Sequence, residues 1–211
     1  MDWWRRDEAR GLPLDVGRPN LWEGKFAMVR VIVFLVASVA LLPISWRSLR
    51  HVRAHGFYRF FAFELLLALI LLNAPVWFRN PLSPQQWAAY CVGSISIVLA
   101  IEGFRLLHRI GRPGQHSAAP STNLPLENTT QLVKTGAYRW IRHPLYASLL
   151  ALALCAYLKD PLGRWSILLT AAVGSFLLAT AIAEEKESVR RFGDVYRDYM
   201  RSTKRFVPYI L

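Results

Sequence analysis

Arg142, His143 and Pro144 stand together immediately before an apolar run in the second half of the chain. Proline is favoured as the first residue of a helix, so the triplet predicts a helix N-terminus that carries a cation, an imidazole and free backbone N–H groups. Such a terminus can bind an anion. The same residues also fit an ordinary helix start in which Arg142 anchors the chain at a membrane surface.

A pair of acidic residues, Glu184 and Glu185, follows the next apolar run. The apolar runs 145–158 and 165–183 are separated only by a short turn, which favours a tight helical hairpin. The two outer ends of a hairpin are neighbours, so we expect the acidic pair to face the Arg-His-Pro triplet. Acidic residues at a solvated helix start are the alternative interpretation of this pair.

The two groups together suit a zwitterionic ligand. The cations and the helix N-terminus can receive a carboxylate, while the glutamates can receive an ammonium or a sulfonium. S-adenosyl-L-methionine is a molecule of this kind.

The composition indicates an all-α membrane protein with one integral membrane domain, residues 1–211. Of the 211 residues, 54% are hydrophobic, and they are concentrated in long runs. The net charge of +12 could indicate nucleic acid, but Lys and Arg cluster beside the apolar runs, as in membrane topology, so no nucleic-acid partner is expected. Five runs predict a bundle of about five transmembrane helices: 31–46, about 60–78, 87–107, 145–158 and 165–183.

Most Lys and Arg residues fall on the side that holds the triplet and the acidic pair, although the N-terminal segment runs against this bias. The positive-inside rule therefore predicts a multi-pass protein of the cytoplasmic membrane, with its site facing the cytoplasm. Residues 1–28 are expected to form an interfacial segment, and residues 108–134 an aqueous loop. Cys91 and Cys155 are each expected to be buried thiols without a disulfide, and no metal-ligand spacing is present.

Several strings occur in an order that resembles a known superfamily: GAYRWIRHPLY, AEEKESVRRFGDVYRDY and the closing RFVPYI. The chain from Gln131 to Ile210 resembles the isoprenylcysteine carboxyl methyltransferase and phospholipid methyltransferase superfamily. The resemblance implies a compact bundle of about five membrane helices that binds S-adenosylmethionine from the cytosol and methylates a lipophilic acceptor. The acceptor would be a carboxylate, amine or thiol of a lipid, isoprenoid or small hydrophobic molecule.

The positions that match the superfamily's motifs define a cofactor-binding catalytic region over residues 131–210. They are Gly136 and Tyr138, then Arg142, His143, Pro144 and Tyr146, then Glu184 and Glu185. The superfamily often has proline after the first glycine and a further glycine after the RHPxY tyrosine. Ala137 and Ser148 occupy those positions here.

The resemblance and the residue types together give each position an expected role. His143 and the helix N-terminus beginning at Pro144 would receive the cofactor carboxylate, and Glu185 its ammonium. Tyr138 and Tyr146 would shape the pocket. Backbone groups of three further residues would hold the adenine: Gln131, Leu132 and Val133.

Arg142 and Glu184 are the candidate catalytic residues. Arg142 would be free to orient the substrate. An amine or thiol acceptor must lose a proton, and Glu184, Tyr146 and His116 are the conceivable bases. A carboxylate acceptor needs no base.

Other charged residues have structural interpretations at least as good as functional ones. Glu64 lies within a predicted span, which makes it a functional candidate or a structural partner of a nearby arginine. Glu102 is expected to form an ion pair with Arg105 on the same helix. His51 and His55 are interpreted as part of a membrane-surface anchor that can also touch anionic headgroups.

Two other classes of function remain open. A membrane reductase of the sterol reductase type would have a similar C-terminal architecture and would use NADPH. A non-catalytic membrane scaffold would keep the fold without binding a cofactor. The expected partners are membrane lipids and a lipophilic substrate, and no obligate protein partner is evident.

Overall fold

The computed structural model describes residues 21–51, 54–111, 131–161 and 163–209. Within these residues six α-helices follow one another: α1 (Leu21–Leu49), α2 (His55–Asn73), α3 (Pro84–Ile110), α4 (Pro144–Lys159), α5 (Arg164–Phe192) and α6 (Asp194–Ser202). Short 3₁₀ turns cover Ala74–Val76 and Gly136–Arg139. The N-terminal segment as far as residue 20 lies outside the described residues, and so does the candidate base His116.

Four of the helices are long and apolar enough to cross a membrane. These segments are Gly24–Pro43, His55–Val76, Pro84–Ile110 and Arg164–Phe192. Helix α4 has 16 residues and is about 24 Å long, shorter than a typical hydrocarbon core. The predicted all-α membrane bundle with a short fourth run is confirmed.

The hairpin of α4 and α5 packs with α2 around a shared core. Its fully buried members include Leu69 of α2, Ala153 and Ala156 of α4, and Val173 and Leu177 of α5. Small residues on α4 let its neighbours come close, as is usual between membrane helices. This packing fixes α4 against α5 and therefore fixes their ends.

Helix α3 lies on the other face of α4 at very short range. A Cβ atom added to Gly93 would be 3.1 Å from Cys155 Sγ, and one added to Gly103 would be 3.1 Å from Leu145 Cδ2. Cys155 is buried as predicted, but Cys91 is exposed, because it lies on the side of α3 that faces away from the bundle. The expectation that both thiols are buried was therefore wrong for Cys91.

Asn73 ties the far end of the bundle together, away from the Arg-His-Pro triplet. Its side chain is 2% exposed, donates to the carbonyl of Ala156 at 2.8 Å and accepts from the Ser166 hydroxyl at 3.0 Å. These bonds join α2, α4 and α5, so the hairpin is held at this end by polar contacts.

Replacing Asn73 with alanine is expected to lower the free energy of unfolding by about 1–3 kcal/mol, because the buried Ser166 hydroxyl loses its acceptor. Thermal or denaturant unfolding in detergent measures the change. Ser175→Ala removes only an exposed bond within α5 and should change stability by less than about 0.5 kcal/mol. Equal effects of the two substitutions would contradict a tethering role for Asn73.

The acidic pair does not open a new helix, which corrects the sequence interpretation. Glu184 and Glu185 lie inside α5, which continues to Phe192. The chain turns at Gly193, whose φ is +59°, and α6 follows. Tyr196 and Tyr199 of α6 are buried, whereas Val195 between α5 and these tyrosines is 55% exposed. The break at Gly193 thus folds α6 back over the end of the hairpin.

Candidate functional site

The N-terminus of α4 begins as the sequence predicts, with Pro144 as its first residue and His143 before it. The residues after α6 pass directly beside it. The backbone N–H of Arg142 donates to the carbonyl of Lys204 at 2.7 Å, and that of His143 donates to the carbonyl of Arg205 at 3.1 Å. The segment that follows α6, residues 203–209, is the closing segment, and it occupies part of this helix end. The backbone N–H groups of Leu145 and Tyr146, in the first turn of α4, remain for a ligand.

Glu185 lies at the centre of a buried ion cluster. Arg142 donates from Nε to Glu185 Oε1 at 2.8 Å, and Arg205 donates from Nη2 to Oε2 at 3.0 Å. His143 Nε2 lies 3.5 Å from Oε1. The Glu185 side chain is only 5% exposed. Two guanidinium groups thus neutralise this carboxylate and donate hydrogen bonds to both of its oxygen atoms.

Arg142 is also engaged on its other side. Its Nη1 donates to the carbonyl of Met200 at 3.1 Å and to the carbonyl of Thr203. With Glu185, these contacts join the start of α4, the middle of α5 and the end of α6. We expected Arg142 to be free to orient a substrate, but the structure commits it to protein contacts because the closing segment folds over it.

Glu184, one residue earlier on α5, has a different environment. Its Oε2 is buried without a hydrogen-bond partner, and His143 Nδ1 lies 3.7 Å away, beyond hydrogen-bond range. His143 Nε2 is likewise buried without a hydrogen-bond partner. Buried polar atoms are nearly always paired, so an unpartnered atom on each of these two neighbouring side chains indicates a place where a polar ligand fits.

A cavity of about 100 Å³ lies beside these two residues. The residues that line it are Leu107, Tyr138, Arg142, His143, Leu145, Tyr146 and Glu184. Ligand pockets usually measure about 300–1,000 Å³. The cavity between the described residues is therefore smaller than a typical ligand pocket and has room for a small polar group.

Aromatic residues hold the walls of this cavity. The His143 ring stacks on Tyr146 with centroids 5.4 Å apart. Burial, reinforced by the charge of Glu184, raises the pKa of Tyr138 well above its usual value. Burial also raises the pKa of Tyr199, whose hydroxyl donates to the carbonyl of Tyr138 at 2.6 Å. The hydroxyls of Tyr138 and Tyr199 therefore stay protonated at neutral pH.

The turn that precedes the triplet depends on Gly136. Its φ is +58°, and an added Cβ would lie 2.5 Å from Leu106 Cδ1 and 2.6 Å from Glu102 Oε1. The next N–H, that of Ala137, donates to Glu102 Oε1 at 2.9 Å. Proline, which is common in the superfamily at this position, has no N–H to donate.

The contact with Ala137 also corrects a second expectation. Among the ion pairs of the described residues there is none between Glu102 and Arg105. The Glu102 carboxylate instead holds the backbone of the turn that leads to α4, while Arg105 is exposed.

Replacing Gly136 with alanine is expected to cost about 1–3 kcal/mol of folding free energy, because the left-handed backbone is strained and the methyl group meets α3. Thermal unfolding in detergent measures this loss. Gly174→Ala is the matched control, since α5 is helical there and the added Cβ would be 3.8 Å from its nearest neighbour. A Gly136 variant as stable as the Gly174 variant would refute the proposed constraint.

The residues assigned to the adenine lie apart from the cavity wall. Gln131 is exposed and Val133 is buried, and neither they nor Leu132 are among the described residues that line the cavity. Gly136 also does not line the cavity; its contribution is to the turn that precedes the Arg-His-Pro triplet. The adenine assignment stays a prediction.

Sequence reasoning misplaced His55. It is 1% exposed, so its side chain is enclosed by protein and does not face lipid headgroups; its Nδ1 lies 2.8 Å from Glu187 Oε2, and its backbone N–H donates to the same carboxylate. This pair joins α2 to α5 near the site. Glu64 accepts from the Ser38 hydroxyl at 2.6 Å, which gives it a structural contact with α1.

Arg205 was missed as a site residue. The motif RFVPYI, which contributed to the resemblance, contains it, and this was the available signal. Phe206 beside it is buried, and its ring centroid lies 6.3 Å from that of His143.

The fold and the site define an integral membrane protein with a buried charged pocket where its helical hairpin ends. Residues 116–191 match the model of the isoprenylcysteine carboxyl methyltransferase (ICMT) family, which confirms the resemblance over that segment. The match includes Arg142, His143, Glu184 and Glu185 and ends before Arg205. No curated protein and no solved structure matches the chain significantly. The family match supports a membrane methyltransferase.

Proposed function

We propose that this protein is a membrane methyltransferase that uses S-adenosyl-L-methionine to methylate a lipophilic acceptor. The observation that carries the proposal is the pair of orphaned buried atoms, His143 Nε2 and Glu184 Oε2, beside the N-terminus of α4. An imidazole, a carboxylate and two backbone N–H groups within one cavity complement both charges of an amino acid.

The geometry favours Glu184 over Glu185 as the partner of the cofactor ammonium. Glu185 already binds two guanidinium groups, whereas Glu184 keeps a buried oxygen without a hydrogen-bond partner. The cofactor carboxylate would meet the N–H groups of Leu145 and Tyr146 and the His143 ring. Glu185 then serves to position Arg142.

When bound, S-adenosylmethionine supplies a methyl group on a positively charged sulfur, ready for in-line displacement. The chain's own residues hold and orient the amino-acid end, and the stacked His143 and Tyr146 rings exclude water from it. Such a transfer depends on positioning and a dry site more than on acid or base chemistry. Tyr138 contributes a protonated hydroxyl and so acts as a donor, not as a base.

The direct test is to incubate the purified protein with methyl-labelled S-adenosylmethionine and an extract of total lipids and small molecules. We expect label in the organic phase, and less of it with Glu184→Gln. Mild alkali then distinguishes the acceptors, because a methyl ester releases labelled methanol and an N- or S-methyl group does not. Absence of transfer to every fraction, in a protein that binds no S-adenosylhomocysteine, would overturn the proposal.

A further inference from the structure

A basic pocket of about 440 Å³ lies at the same end of the bundle as the triplet, with a lining that includes neither His143 nor Glu184. Four cations contribute to it: Lys134, Arg139, Arg201 and Lys204. None of the described residues that line it is acidic. The pocket is therefore a concentrated patch of positive charge.

Most of this charge lacks an acidic partner. Arg201 pairs with Asp198 at 3.2 Å. Within the described part of the chain, Lys134, Arg139 and Lys204 have no carboxylate within 4 Å. Three neighbouring cations repel one another, so an anion with several oxygens, such as a phosphate group, would be bound favourably there.

An apolar groove of about 730 Å³ continues from this pocket along α3 and α4, and the two share Arg139, Trp140 and Pro208. Ile95 and Leu154 lie in the groove and are 56% and 41% exposed, so it opens towards the surrounding membrane. From Glu102 to Ile95 it descends roughly 10 Å along α3.

One acidic residue, Glu102, stands among the described residues of the groove, and its Oε1 is occupied by the N–H of Ala137 at 2.9 Å. At the mouth, the Trp140 and Tyr209 rings lie 5.9 Å apart, and the Arg139 guanidinium lies 5.4 Å from the Trp140 ring. Aromatic and basic residues combined in this way are typical of headgroup depth in a membrane.

We propose that this pocket and groove form a binding site for an anionic phospholipid of the adjacent leaflet. The phosphate occupies the basic pocket, and one acyl chain lies in the groove between α3 and α4. The groove shares no lining residue with the His143 cavity. The lipid site is therefore distinct from the His143 cavity, and the proposal stands independently of the proposed function.

Native mass spectrometry tests the site with equal amounts of phosphatidylglycerol and phosphatidylcholine of identical acyl chains. We expect the wild-type protein to bind phosphatidylglycerol at least tenfold more tightly. The double substitution Arg139→Gln and Lys204→Gln should remove that preference, and Ala151→Phe, which fills the groove, should weaken retention of both lipids. The exposed cation Arg190, outside this site, provides the control Arg190→Gln, which should keep the preference.

Equal retention of the two lipids by the wild-type protein would overturn the proposal, as would a loss in Arg190→Gln as large as in the double variant. Displacement of the lipid by an equal concentration of inorganic phosphate would show a site for free anions and would also overturn it. Unfolding temperatures in lipid-free detergent identify any variant that has lost its fold. In that event the single substitution Lys204→Gln, at an exposed side chain, replaces the double one and should weaken the preference in the same direction.

Discussion

Glu185→Ala is expected to be the most destabilising substitution in the protein's polar network, at about 3–5 kcal/mol. Removing one partner from a buried ion cluster leaves the remaining charges uncompensated. Here the carboxylate is 5% exposed and holds Arg142 and Arg205 at 2.8 and 3.0 Å, so both guanidinium groups would lose their counterion. The closing segment after α6, which carries Arg205, should detach from the start of α4.

Chemical or thermal unfolding in detergent measures this effect, and limited proteolysis reports detachment of the closing segment. The neighbouring residue Lys186 is exposed, so Lys186→Ala is the matched control and should change stability by less than about 0.5 kcal/mol. A Glu185→Ala protein with wild-type stability would show that the cluster does not hold the fold.

Glu184→Gln is expected to have the opposite profile, with near wild-type stability and at least tenfold weaker binding of S-adenosylhomocysteine. Tenfold corresponds to about 1.4 kcal/mol, within the range of a charge-assisted hydrogen bond. The amide keeps the shape of the carboxylate but cannot neutralise an ammonium group. His143→Ala should weaken binding similarly, because it removes the ring on the other side of the orphaned oxygen.

Calorimetric titration of the detergent-purified variants measures these affinities. Ser175→Ala, at an exposed position of α5, should bind like the wild type. If Glu184→Gln bound with wild-type affinity while the still-folded Glu185→Gln protein did not, the ammonium assignment would return to Glu185, as the resemblance first indicated.

The position of the site could be predicted from the sequence because it follows from the lengths of the apolar runs and of the turn between them. Two apolar runs joined by a short turn force their outer ends together, and this places Arg142 and His143 beside the acidic pair. The same reasoning predicted Pro144 as the first residue of α4.

The different environments of Glu184 and Glu185, one at the cavity and the other in the ion cluster, could not be predicted in this way. Adjacent residues on a helix point about 100° apart, so one carboxylate faces the ion cluster and the other faces the cavity. Which one does so depends on the rotation of α5 against α4. That rotation is set by core contacts such as Val173 and Leu177, which hydropathy does not resolve.

The end of α5 was mispredicted for a related reason. Hydropathy falls at Glu184, but the residues that follow are mostly good helix formers, so the helix continues until Gly193. Arg205 was missed for the same reason. It reaches Glu185 because the chain turns at Gly193 and the closing segment returns to the start of α4.

Whether the cavity at His143 and Glu184 binds S-adenosylmethionine is decided by thermal stabilisation of the wild-type protein with S-adenosylhomocysteine, the product of methyl transfer. S-adenosylhomocysteine should raise the unfolding temperature in a saturable, dose-dependent manner, and NADPH should leave it unchanged. Stabilisation by NADPH alone would contradict the account in favour of a reductase, and no response to either ligand would contradict it in favour of a scaffold.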